Sequence, residues 1–188
     1  FKTILNISDV ILYKNTPQPW RDVDLDFLSE KGITVILSTN TPYLELVSQV
    51  DYVFEATANG IGLKNKDIYD SCPNLIGVCA QGSEKGFGLP FMSGIDESHI
   101  ANQKFVQIVS CNTHGAASLL QTVCGPNLTQ LESSDFVVVR RSEDVGNHER
   151  LVTANVVARH LSDTTGTHHA IDVKDMFSAI NIDCNITS

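Results

Sequence analysis

The 188-residue chain has little that would hold a metal, a nucleic acid or a membrane. Its five cysteines, at positions 72, 79, 111, 124 and 184, form no C-x-x-C pair and no zinc-type spacing, so a structural metal site is not expected. Basic residues are outnumbered, 13 Lys and Arg against 22 Asp and Glu, for a formal net charge of −9. That balance repels a phosphate backbone overall and argues against nucleic acid as a partner. No run of about 18 apolar residues occurs, so no helical membrane span is expected and no membrane partner. Internal repeats and low-complexity segments are also missing. An odd, scattered set of thiols points to a reducing compartment. Together these features describe a soluble cytoplasmic protein of one domain, or parts of two.

What the chain does have is alternation. Val10 to Tyr13 reads as a strand, Asp22 to Lys31 as a helix closed by Gly32, and Ile33 to Leu37 as a β-branched strand. Thr41-Pro42 starts a helix through about Gln49, with proline where the first turn tolerates it. Tyr52 to Ala56, Leu75 to Ala80 and Val106 to Ser110 read as further strands, and Lys64 to Ser71 as a helix. Repeated strand–helix–strand units predict a parallel sheet wound with helices on both faces, binding its ligand beyond the strands' carboxyl ends. The expected fold class is α/β: a partial Rossmann-like, doubly wound parallel sheet (an incomplete nucleotide-binding domain, 1–112), followed by part of an α+β catalytic domain (113–188). In that second part Phe136 to Val139 reads as a strand, Leu151 to Leu161 as a helix, and Thr164 to His169 as a turn.

Cys111 lies at one of these strand ends. It sits in Val-Ser-Cys-Asn-Thr-His-Gly, followed by Ala116, Leu119, Leu120 and Val123 at i, i+3, i+4 and i+7, an apolar helical stripe. The first N–H groups of a helix have no internal partner and, with the helix dipole, favour an anion. A thiolate placed there is a candidate nucleophile, and the same donors could receive the oxyanion formed when it adds to a carbonyl. The alternative is a small buried hydrophobe. Asn112 and Thr113 favour the first reading: both suit helix capping or a substrate oxygen, and capping alone needs one of them.

Other residues carry weaker signals. Gly60-Ile61-Gly62 is half of a dinucleotide fingerprint, but position 65 is Asn rather than a third glycine, so on its own it reads better as a tight strand-to-helix turn. Glu84 and Lys85 read as a solvated turn pair. Arg140 and Arg141 end an apolar strand and alternate in direction, so one could meet a phosphate in a cleft, or either could form a structural ion pair. His168-His169 suits a phosphate contact or loop hydrogen bonds better than a metal, because adjacent residues rarely share one ion and no acidic or thiol cluster supports them. His114 is expected to point along its helix rather than back to the sulfur.

These pieces together resemble the archaeal-type (class II) glyceraldehyde-3-phosphate dehydrogenases. Phe54-Glu-Ala-Thr-Ala-Asn-Gly-Ile-Gly-Leu-Lys-Asn-Lys is similar to that family's Asp-Ala-Thr-Pro-Asn/Gly-Gly-Val-Gly-x-Lys-Asn. Gln81-Gly-Ser-Glu-Lys is similar to its Gln-Gly-Gly-Glu-Lys, and Val109-Ser-Cys-Asn-Thr to its Val-Ser-Cys-Asn-Thr-Thr. Val139-Arg-Arg and Gly166-Thr-His-His follow in the family's order. The resemblance implies that Cys111 attacks the aldehyde of glyceraldehyde 3-phosphate, that the thiohemiacetal gives hydride to NAD or NADP, and that inorganic phosphate releases 1,3-bisphosphoglycerate from the thioester. It further implies that Asn112, Thr113, Arg141, His168 and His169 hold substrate or phosphate, that Asn59, Gly60, Gln81 and Gly82 lie near the cofactor, and that the protein is a homotetramer.

The chain departs from the family pattern in three places. The opening strand with its Gly-x-Gly-x-x-Gly loop is missing, and the strand expected to carry the catalytic histidine is not reached. The second threonine of Ser-Cys-Asn-Thr-Thr is His114. The first two departures make an internal fragment of a longer protein the expectation, one that would not turn over alone. Two alternatives stay open: a semialdehyde dehydrogenase of the same mechanism, and a non-catalytic homologue serving assembly or binding.

Overall fold

The computed structural model describes residues 7–14, 22–37, 41–82, 84–95, 97–129, 131–138, 165–177 and 183–187. Among them the elements run β1 (Val10–Lys14), α1 (Asp22–Glu30), β2 (Ile33–Leu37), α2 (Tyr43–Val47), β3 (Tyr52–Glu55), α3 (Ile61–Asp70), β4 (Gly77–Ala80) and β5 (Leu89–Phe91). A single 3-10 turn (Glu97–Ile100) leads to β6 (Phe105–Ile108), α4 (Cys111–Cys124), β7 (Ser133–Val137), α5 (His168–Met176) and β8 (Asp183–Thr187). Every strand pair is parallel. The α/β class with a Rossmann-like parallel arrangement is therefore borne out. Helices connect β1 to β2, β3 to β4 and β7 to β8, and a 3-10 turn lies between β5 and β6, because a parallel pair cannot be closed by a tight hairpin.

Two compact units form. The smaller contains residues 1–51 and 68–75. Its parallel pair runs in register from Val10↔Ile33 to Lys14↔Leu37, and Gly32, at φ +67°, ends α1 in the left-handed conformation that glycine adopts without strain. The Tyr13, Tyr43 and Tyr69 rings pack in series, Tyr13 tilted on Tyr43 and Tyr43 edge-on to Tyr69, and the Tyr43 and Tyr69 hydroxyls share a hydrogen bond.

The larger unit, residues 52–67 and 76–188, has a four-stranded parallel sheet of order β3-β4-β6-β5. All four residues of central β4 are buried, as a strand covered on both faces requires. Pro90 sits in β5, at the sheet's edge, where a missing N–H costs no ladder bond. A second parallel pair, β7 and β8, runs from Ser133↔Asp183 to Val137↔Thr187.

The core of this unit joins α4 to α5. Ala116, Ala117 and Leu120 pack with Ala170, Val173, Met176 and Phe177, beside Cys184 and Ile186 of β8. The buried face of α4 is thus Thr113, Ala116, Ala117 and Leu120. This corrects the expected stripe: the period is right, but Leu119 and Val123 are 56% and 79% exposed. Small residues take the inner face because alanines let the two helix backbones approach closely. Further differences follow from short or polar elements. β5 and β8 were not expected, β7 begins three residues earlier than the apolar run suggested, and α3 begins three residues before Lys64. The expected turn through His169 gives way to helix α5 from His168. The helix expected over Leu151 to Leu161 and the loop before it lie outside the described residues.

Candidate functional site

The strand-to-helix junction is built as its sequence predicts. Ser110, at φ −65° and ψ 161°, is the N-cap of α4, and its hydroxyl accepts from the Thr113 N–H at 3.4 Å. Cys111 is the first residue of α4 and is exposed. It opens on a cleft of about 590 Å³ that is also lined by Gln81, Gly82 and His114. That volume falls within the range of small-molecule sites. A Cβ on Gly82 would meet Ser110 Cα at an ordinary 3.8 Å.

Packing of α5 on α4 brings His169 to this junction. Its Nδ1 lies 3.0 Å from Ser110 Oγ and 3.3 Å from Thr113 Oγ1, and Asn112 Nδ2 lies 3.3 Å from its Nε2. If the Asn112 amide donates to Nε2, then Nδ1 carries the proton and donates to a hydroxyl. Asn112, Thr113 and His169, expected at the site from sequence, are thereby gathered into one hydrogen-bonded group with Ser110, a member the sequence reading did not single out. The signal for Ser110 was its position, a serine directly before a helical stripe.

The start of α5 is fixed by β8. Gly166, at φ +69°, bridges to Ile186, and the Thr167 N–H donates to the Ile186 carbonyl at 2.8 Å. Thr167 caps α5, and its buried Oγ1 has no hydrogen-bond partner among the described residues. His168 stacks against His169 with ring centroids 3.9 Å apart.

Asp172, one helical turn further, joins the two histidines, with donor atoms within 4.8 Å of one another. This corrects the expectation that no acidic residue supports the pair: helical rather than turn geometry puts i and i+4 on one face. The cluster is engaged by protein groups. Lys85 Nζ lies 3.6 Å from the Asp172 carboxylate, and both ring nitrogens of His169 have partners. Burial pushes the Asp172 carboxyl above its ordinary range, against the opposing pull of Lys85 and His168.

Glu84 is a second correction. It is 0% exposed, and its carboxylate accepts the Gly60 and Leu63 N–H groups at the start of α3. Glu55 accepts from Thr57 N–H at 3.0 Å and Asn65 Nδ2 at 3.0 Å beside it. A Cβ on Gly62 would come within 2.8 Å of Glu55 Cγ and 3.2 Å of Glu84 Cδ, so this glycine makes room for carboxylates. Gly60 is thus a helix-start donor already taken by a protein anion, Asn59 precedes it in an exposed turn, and Gln81 reaches the Thr57 carbonyl at 3.3 Å. Of the four residues expected near a cofactor, Gln81 and Gly82 line the Cys111 cleft. Arg140 and Arg141 lie outside the described residues. No helix among the described residues is long and apolar enough to cross a membrane.

No protein-family model matches the chain. Individual relatives do. The chain is 29% identical over 143 residues to a glyceraldehyde-3-phosphate dehydrogenase of Saccharolobus islandicus (strain L.S.2.15 / Lassen #1), covering 73% of this chain and 39% of that protein. It is 28% identical over 141 residues to the enzyme of that name from Sulfurisphaera tokodaii, with the same coverage. It is 31% identical over 140 residues to that of Methanobacterium bryantii, covering 73% of the chain and 40% of the relative. The resemblance seen in the motifs therefore extends over most of the chain, while the chain spans about two fifths of the length of the curated relatives it matches.

Proposed function

We propose that the protein oxidises glyceraldehyde 3-phosphate to 1,3-bisphosphoglycerate with NAD or NADP and inorganic phosphate, using Cys111 as nucleophile. The observation that carries this reading is an exposed cysteine at the first position of α4, in a cleft it lines with Gln81, Gly82 and Ser110, while Ser110 also belongs to the hydrogen-bonded group of Asn112, Thr113 and His169. The distant similarity to enzymes named glyceraldehyde-3-phosphate dehydrogenase supports the substrate class and an oxidoreductase role in glycolysis or gluconeogenesis.

In this reading the Cys111 thiolate adds to the aldehyde carbon. The C–S bond forms, and the carbonyl electron pair moves onto oxygen, facing the first N–H groups of α4. A nicotinamide would supply the two-electron acceptor. The cleft bounded by Gln81 and Gly82 has room for such a ring, whereas the α3 start, with Gly60 N–H given to Glu84, offers no free cradle for its phosphates. A phosphate oxygen then displaces sulfur from the acyl carbon. His168, His169 and Arg141 are our choices for the phosphate contacts, with Asn112 and Thr113 on the substrate. Cofactor contacts fall in residues 1–112 and the catalytic part in 113–188, and the assembly is a cytoplasmic homotetramer.

The test is reduction of NAD+ or NADP+ by the full-length natural protein, followed at 340 nm with glyceraldehyde 3-phosphate and phosphate. Cys111→Ser is expected to abolish turnover, a loss of at least about 10³-fold. A fully active Cys111→Ser would overturn the reading.

A further inference from the structure

Helix α5 is tied to both strand ends that form the cleft, through two residues that are neighbours on its surface. Toward α4, His169 Nδ1 lies 3.0 Å from Ser110 Oγ, and Ser110 lines the cleft next to Cys111. Toward the segment after β4, the Asp172 carboxylate lies 3.6 Å from Lys85 Nζ. Lys85 closes the segment that opens with Gln81 and Gly82, which line the cleft from the β4 side. β4 and β6 pair in the sheet, so the cleft sits at two adjacent strand ends, and α5 reaches the chain beyond each of them. The segment is held on its other side by different groups: Gln81 Nε2 donates to the Thr57 carbonyl at 3.3 Å, and Glu84 accepts the Gly60 and Leu63 N–H groups. Lys85, next to Glu84 in the chain, pairs with α5 instead.

Stability does not account for this pair. Lys85 is about half exposed, and an ion pair so open to water adds little. Asp172 is buried, and burial raises its carboxyl against the pull of Lys85, so the folded chain holds the charge at a cost. What the pair fixes is position. We propose that Asp172 is a positioning residue of the cleft: through Lys85 it holds Gln81 and Gly82 in place opposite Ser110 and Cys111, and so sets the space open to a nicotinamide ring. The role rests on the function proposed above. Neither Asp172 nor Lys85 lines the cleft, so their effect reaches a ligand only through Gln81 and Gly82. His169 makes the corresponding tie to α4, and the two ties together fix both sides of the cleft to one helix.

The experiment is a double-mutant cycle on the full-length natural protein: Asp172→Asn, Lys85→Met and the two combined. The readouts are KM and kcat with NAD+ or NADP+, and hydrogen–deuterium exchange of the peptide carrying Gln81 to Lys85. Asparagine keeps the shape of aspartate without its charge, so Asp172→Asn is expected to melt no lower than wild type near pH 7. Each single variant should raise KM for the cofactor at least about fivefold while kcat stays within about twofold. The combined variant should be no worse than the worse single one, because both substitutions break the same contact. Exchange of the peptide should quicken in all three. Unchanged exchange, an unchanged KM, or single effects that multiply in the combined variant would each overturn the proposal. So would a lowered melting temperature in Asp172→Asn, the mark of a structural residue. If wild type reduces neither nucleotide, the proposed function falls, and the exchange rates alone decide whether Asp172 holds the segment.

Discussion

Gly166→Ala should damage this protein more than its position in a short connection suggests. Gly166 stands at φ +69°, and an added Cβ would lie 2.2 Å from the Ile186 carbonyl oxygen and 2.6 Å from Asn185 Oδ1. The left-handed conformation costs a non-glycine residue about 1–2 kcal/mol. The clash is with backbone, so β8 must retreat, and the bond from Thr167 N–H to that same Ile186 oxygen is lost with it. That bond is worth about 1 kcal/mol. The expected total is about 2–4 kcal/mol, a large share of a typical domain's stability. Gly94→Ala is the control: its φ is +88°, yet nothing lies within 4 Å of its Cβ position, so it reports the dihedral cost alone. Urea unfolding followed by circular dichroism gives both values. Agreement of the two variants within about 0.5 kcal/mol would refute the close-approach argument.

Two further outcomes follow from buried carboxylates. The Asp172 carboxyl is raised by burial more than Lys85 and His168 lower it, so the native state holds its proton more tightly than the unfolded chain. Stability contributed by this group is present below the unfolded value and declines as pH rises through the window above about 3.9. Asp172→Asn should flatten that decline in urea midpoints measured between pH 4 and 7, and an unchanged slope would contradict the shift. Glu84→Ala removes the acceptor of two N–H groups at the start of α3 and should cost about 1–3 kcal/mol; a variant as stable as wild type in the same unfolding assay would show that water replaces the carboxylate without loss.

The sequence was most legible where one periodicity ran long enough to dominate. β1, β2, β4 and β6 lie where β-branched or apolar runs put them, and α4 follows Ser110 as the strand-to-helix pattern implies, although its cap is Ser110 rather than Asn112 or Thr113. Legibility failed where the deciding contact is distant in sequence. α5 shows its apolar spacing only from Ala170 onward, at 170, 173, 176 and 177, so its polar first turn looked like a loop, and the partners that make it a helix lie on α4 and β8. β5 is three residues long and contains a proline, which leaves no pattern to read. Glu84 looked solvated because charge usually is, and its burial depends on donors at Gly60 and Leu63, more than twenty residues away.

The site follows the same logic. The placement of Cys111 was legible because it depends on a local feature, the start of α4. The group around His169 was legible as a list of residues but not as a geometry, since Ser110, Asn112 and Thr113 meet it across more than fifty residues of chain. Helix starts also show how the fold distributes its anion sites. The start of α3 follows a parallel strand and would by default attract a phosphate, yet the protein's own Glu84 occupies it, with Glu55 beside it and a glycine at 62 to admit both. The start of α4 is left to an exposed thiol. One junction is spent on stability and the other kept open to solvent, and the open one carries the Cys111 thiol. On the proposed function, a nicotinamide in this cleft would meet Gln81 and Gly82 at the end of β4.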